Sequence, residues 1–201
     1  MDAFTIIMCG PPGSGKGTQV QLLAQALNER DPQRPLLSFS TGDGFRAVAQ
    51  GKGYTSSLIR DVVDKGGLQP EFLAVWLWGS VFIEKMVGDE HIITDGFPRR
   101  VLEGHALDTA FSFYQRKNRH FLNITLTQEE AARRLALREQ KEGRTDDRRA
   151  VLGNRFEFYR NETVPTIELF RNNPQYAFHD ISGAQTVEAV HRDILQALGL
   201  S

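Results

Sequence analysis

A single cysteine, Cys9, in a chain of 201 residues excludes a disulfide framework and any zinc site built on thiolates. It falls inside the first apolar run and reads as a core thiol. Neither sign of charge dominates, with 24 Lys and Arg against 25 Asp and Glu, so the balance favours neither nucleic acid nor an anionic membrane as partner. The N-terminal MDAFTIIMCG carries an acid where a secretory signal has a basic region, so a cytoplasmic location is expected. Long apolar runs are scarce. The stretch from Phe72 to Ile83 is the only membrane-like one, falls short of the ~20 residues a span requires, and is flanked by Glu71 and Glu84. It is expected to be a buried helix. The five histidines, His91, His105, His120, His179 and His191, lack ligand spacing, so no protein-built metal site is expected from them. Internal repeats and low-complexity linkers are absent too, and the sequons at Asn123 and Asn161 read as chance matches.

What is present is an alternation. Apolar, β-branched runs recur at Phe4–Cys9, Leu36–Phe39, His91–Thr94, His120–Leu126 and Tyr176–Ile181. Between them lie segments with helical spacing: Val20–Leu27, Phe45–Asp64, Glu71–Val87, Val101–Arg116, Gln128–Arg138, Ala150–Arg171 and Thr186–Leu198. Short strands separated by helices predict a five-stranded parallel sheet covered on both faces, a three-layer α/β domain with its ligand at the carboxyl ends of the strands. Two polar, breaker-rich stretches stand out, Asn28–Pro35 and the densely charged Glu139–Arg149.

The strongest motif is GPPGSGKGTQ at Gly10–Gln19, set between the first strand and a helix. Successive glycines allow backbone N–H groups to turn inward around an anion, the helix adds its positive end, and Lys16 reaches toward β- and γ-phosphates. Gly13, Ser14, Gly15, Lys16, Gly17 and Thr18 are the candidate triphosphate-binding residues. Gly17 stands where most such loops carry Ser or Thr, and no N-K-x-D motif is present, which excludes a small-GTPase reading. Two further blocks follow later strands. STGDGFR at Ser40–Arg46 offers a helix cap and an arginine, and DGFPR at Asp95–Arg99 offers a carboxylate beside the P-loop strand and a second arginine. Asp95 is a candidate to hold the water shell of Mg²⁺ accompanying ATP. Arg134, Arg138, Arg144 and Arg155 come from the basic stretch and its flanking helices.

In this order, GPPGSGKGTQ, STGDGFR, DGFPR, the arginine-rich Leu135–Asp147 segment and Arg155 resemble the adenylate kinase family of nucleoside monophosphate kinases, over nearly the whole chain. The resemblance implies ATP and a nucleoside monophosphate, AMP foremost, as substrates. It implies that Lys16 and the loop hold the donor triphosphate while Arg134 stacks on its adenine. Thr41, Arg46, Gly96, Arg99 and Glu103 would bind the acceptor, and Arg138, Arg144 and Arg155 would surround the transferring group. Asp146 and Asp147 would belong to a mobile cover. The implied layout is a monomeric core (1–40, 71–138, 149–201) with an acceptor-binding insertion (41–70) and a short lid (139–148), too short and cysteine-poor to carry zinc.

The chain departs from the family at Glu103. Adenylate kinases place glutamine four residues after the DGFPR arginine, and uridylate/cytidylate kinases asparagine. An ionised carboxylate only accepts hydrogen bonds, so it meets adenine N6–H well and the N1 lone pair badly, whereas guanine or cytosine would suit it better. AMP, GMP, CMP and UMP therefore all stand as acceptors to be tested. The remaining alternative is a nucleotide-binding scaffold whose catalysis has lapsed, against which the retained Lys16, Asp95 and arginine set argue.

Overall fold

The computed structural model describes residues 1–143 and 145–201, with the backbone alone of Thr145. Five parallel strands, β1 (Thr5–Cys9), β2 (Leu36–Ser40), β3 (His91–Asp95), β4 (Arg119–Thr125) and β5 (Tyr176–Ser182), lie in the order β2-β3-β1-β4-β5. The described helices are α1 (Lys16–Arg30), α2 (Thr41–Ala49), α3 (Tyr54–Asp64), α4 (Glu71–Lys85), α5 (Val101–Phe113), α6 (Gln128–Glu142), α7 (Arg149–Phe158), α8 (Val164–Arg171) and α9 (Val187–Ala197). Together they form a three-layer α/β fold with helices on both faces of the sheet.

The pleat of β1 divides the core. Ile6 and Met8 face one side, packed with Leu23 and Leu27 of α1 and Ile194 of α9; Ile7 and Cys9 face the other, with Phe82 of α4, Phe111 of α5 and Phe170 of α8. A strand buried on both faces reads as a continuous apolar run, which is why β1 was visible without alternation. Cys9 is a free, buried thiol whose pKa burial pushes up, consistent with a packing role. Below the sheet, Arg116 and Glu90 form a buried ion pair at 3.2 Å that composition could not reveal.

Four helical expectations need correction. The segment 45–64 is two helices, because Gly51 and Gly53 interrupt it; Arg60 of α3 folds back to donate to the Ala49 and Gly51 carbonyls. The segment 150–171 is broken by a wide helical turn at Tyr159–Thr163 ahead of Pro165, whose missing N–H cannot continue the regular ladder. Helix α6 runs to Glu142, so the first residues of the stretch expected as lid are its last turn, closed by Gly143 at φ 65°. Finally, α4 buries only Ala74, Leu77, Trp78 and Phe82; Phe72, Trp76 and Ile83 face solvent because α4 lies in an outer layer. No described helix is long and apolar enough to cross a membrane.

Candidate active site

The loop between β1 and α1 is pressed against neighbouring backbone, and that contact explains two of its glycines. Gly10 has φ 142°, and a Cβ there would lie 2.3 Å from the Ile124 carbonyl oxygen at the end of β4. Gly13, at φ 80°, would place one 2.7 Å from the Ala131 oxygen of α6. A side chain at either position would push the loop off the sheet. Helix α1 starts at Lys16 with no side chain capping it, so its first N–H groups face the loop's interior.

Lys16 curls over this loop. Its Nζ donates to the Gly10 oxygen at 2.8 Å, the Pro11 oxygen at 2.9 Å and Ser14 Oγ at 3.3 Å. Burial lowers its pKa to about 8, against the opposing pull of the Asp95 charge. Asp95 ends β3, and its Oδ2 comes within 3.8 Å of where a Gly17 Cβ would stand, placing the carboxyl beside the loop. Burial raises the Asp95 pKa, while Lys16 and Arg99 hold it down.

The loop opens into a cleft of about 450 Å³ lined by Lys16, Arg46, Arg99, Arg138 and Arg155. Each comes from a different place in the chain. Arg46 sits in α2, begun by Ser40, whose Oγ accepts the Asp43 N–H at 3.3 Å. It pairs with Asp43 one turn earlier and approaches Asp146 at 3.8 Å. Arg99 follows β3, its Nε donating to the Gly96 oxygen at 2.7 Å; it has no carboxylate partner among the described residues. Arg138 of α6 and Arg155 of α7 converge on Asp147, which is fully buried. Arg155 also donates to the Asp146 carbonyl at 2.9 Å and lies 3.2 Å from its carboxylate. Burial lowers the Arg155 pKa, with both aspartates opposing.

Gly13, Gly15, Gly17, Thr18, Thr41, Asp95, Gly96 and Glu103 line the same cleft. Ser14 is buried behind it as a partner of Lys16. Arg134 does not line it. Its Nε donates to Glu130 at 2.7 Å, one turn earlier on α6, and its Nη2 to the Gly183 oxygen at 2.9 Å. Arg144 lies outside the described residues. Glu103 is buried at 4% exposure rather than solvated, and its Oε2 accepts the Arg99 backbone N–H at 3.0 Å, closing the start of α5.

Several lining residues escaped the sequence reading. Asp43 sat inside the STGDGFR block, three places before Arg46 on a helix, a spacing that signals an ion pair. Tyr159 and Thr163 enter through the wide helical turn, which no periodicity announces.

A glycine cradle at a helix start, a half-buried lysine and arginines from four separate segments, gathered at the carboxyl edge of a parallel sheet, define a P-loop phosphotransferase. Residues 8–175 match the family model described as adenylate kinase. An adenylate kinase of Thermus thermophilus is 32% identical over 196 residues, covering 97% of each chain. Those of Phocaeicola vulgatus and Porphyromonas gingivalis are 28% and 31% identical, covering 97% and 93% of this chain and 98% and 91% of their own. The chain belongs to the adenylate kinase family and is an enzyme, a nucleoside monophosphate kinase.

Proposed function

We propose that the enzyme reversibly transfers the γ-phosphoryl group of ATP to AMP, giving two molecules of ADP. The observation carrying this reading is the convergence of Lys16, Arg46, Arg99, Arg138 and Arg155 on one cleft at the mouth of the phosphate loop. The relatives named adenylate kinase support the choice of both nucleotides.

Phosphate oxygens of AMP are already anionic, so the reaction needs no general base. What it needs is two polyanions brought together and the charge on the transferring group stabilised. Lys16 and the loop amides from Gly13 to Thr18 take the donor phosphates. Arg46 and Arg99 take the acceptor phosphate, with Thr41 and Gly96 beside it. Arg138 and Arg155, with Arg144 assigned by family resemblance, spread charge over the transferring oxygens. Planar guanidinium forks suit that task better than ammonium groups. Arg134, held by Glu130 and Gly183, presents its remaining face to the donor base. The insertion at 41–70 and the lid at 139–148 close over the two nucleotides and exclude water, which would otherwise accept the phosphoryl group.

Among the described residues no group of three His, Cys, Asp or Glu side chains gathers to hold a metal, so a protein-built cage does not fit. A half-buried carboxyl beside the loop does fit Mg²⁺, which keeps its waters and takes substrate phosphates as ligands. Asp95 would hold one of those waters, and the ion when bound neutralises charge on the donor phosphates.

Initial rates of ADP formation from ATP with AMP, GMP, CMP and UMP, at about pH 6.5, test the reading. AMP should be turned over fastest. A faster rate with another acceptor would replace AMP, and ATP binding without turnover of any acceptor would favour a lapsed scaffold.

A further inference from the structure

Glu103 is a buried titratable group that phosphoryl transfer does not itself use. It lines the cleft from the first turn of α5, four residues after Arg99, and its two oxygens are in different situations. Oε2 accepts the Arg99 N–H at 3.0 Å; Oε1 has no hydrogen-bond partner among the described residues. No cation stands within ion-pair distance of the carboxyl among those residues. The same cleft has an uncharged wall in Val63, Leu68 and Ala74. An apolar wall with a few directional polar groups is what a flat, polar-edged ligand such as a nucleobase requires.

We propose that Glu103 selects the acceptor base by its protonation state, reading an adenine edge as the neutral acid and a guanine edge as the carboxylate. This rests on the nucleoside monophosphate kinase reading given above. With Oε2 fixed as acceptor by the Arg99 N–H, the proton of the neutral acid resides on Oε1. Oε1–H then donates to a ring nitrogen lone pair, and Oε2, with its second lone pair, accepts from the neighbouring exocyclic amine. That pattern, ring acceptor beside amino donor, is adenine N1 with N6. Once ionised, Oε1 only accepts. It opposes the adenine N1 lone pair and pairs instead with N1–H and N2–H of guanine.

The surroundings of Glu103 act on this protonation equilibrium from both sides. Burial raises the Glu103 pKa, and Glu71 of α4 adds to the rise. The Arg99 N–H and the charges of Arg99 and Arg100 oppose it. Arg100 is itself engaged, donating to the Gln69 carbonyl at 2.7 Å and lying 3.5 Å from Glu162 of the turn before α8, so its charge is shared.

The test is the KM for AMP and for GMP at saturating ATP, from about pH 5.5 to 8.5, in the wild-type enzyme and in Glu103→Gln. The amide keeps a carbonyl for the Arg99 N–H and donates at every pH. Wild-type KM for AMP should rise roughly tenfold with pH, the scale of one polar pairing lost in a buried site, while that for GMP falls. In Glu103→Gln the AMP value should lose this rise. The phosphate of AMP titrates identically against both proteins, so their difference isolates Glu103. Superimposable AMP profiles, or wild-type AMP and GMP values moving in the same direction, would overturn the proposal even if the variant folded poorly. Absence of turnover with both acceptors in the wild type would instead remove the kinase reading on which it stands.

Discussion

Lys16 spends its ammonium hydrogen bonds on its own loop, on Gly10, Pro11 and Ser14, before any nucleotide arrives. Burial brings its pKa down to about 8, so above that pH much of the unliganded protein carries it neutral. A bound triphosphate favours the charged form and should draw the proton back. Calorimetry of ATP binding near pH 8.5, in buffers of different ionisation heat, should register uptake of a substantial fraction of a proton. Lys16→Met should abolish that uptake. A binding heat independent of buffer would contradict the assignment of Lys16 to the donor phosphates. Much at this scale was legible beforehand, since Lys16, Asp95, Arg46, Arg99, Arg138 and Arg155 were all singled out by motif and all meet in one cleft. What motif could not give was pairing. That Asp147 would be fully buried between two arginines depends on α6 and α7 closing around it, which residue identity alone does not encode.

Elements were read well along the strands and poorly where glycine or proline interrupts a helical pattern. The strands came out within a residue or so at either end, because runs such as Ile6–Cys9 are apolar throughout and Ile92–Thr94 is β-branched. The helical insertion was misread as one helix because its two pieces share an amphipathic period, and only the glycines at 51 and 53 mark the break. That pair of helices rests on a small cluster of Phe45, Ala49, Ile59, Ala74 and Leu77, apart from the two large cores. Small apolar contact makes a unit that opens locally and gains order from a ligand. Asp146 and Asp147 are similarly held by ion pairs, to Arg138 and Arg155. We predict that a dinucleoside polyphosphate spanning both nucleotide positions slows amide exchange in α2, α3 and residues 145–149, leaving β1, β3 and β4 little changed. Unaltered exchange in both segments would count against a closing lid and insertion.

At the scale of the whole molecule, the strand order is what turns scattered motifs into a site. Setting β1 between β3 and β4 brings the phosphate loop beside Asp95 on one side and the start of the α6 segment on the other. Placing β2 outside β3 carries Thr41 and Arg46 to the same edge. Alternating strands and helices announced a parallel sheet, but the neighbours of each strand follow from packing over distances that no local pattern spans. The central claim is that the fold assembles these guanidinium groups for phosphoryl transfer. Arg99 tests it best, because among the described residues it has no carboxylate partner whose release would confuse the outcome. The decisive measurement is kcat for ADP formation from ATP and AMP in Arg99→Ala, beside its melting temperature and its affinity for ATP. The account predicts a fall in kcat of roughly 10²–10³, with melting temperature and ATP affinity close to wild type. A folded variant keeping kcat within about a factor of two, on that same scale, would contradict it.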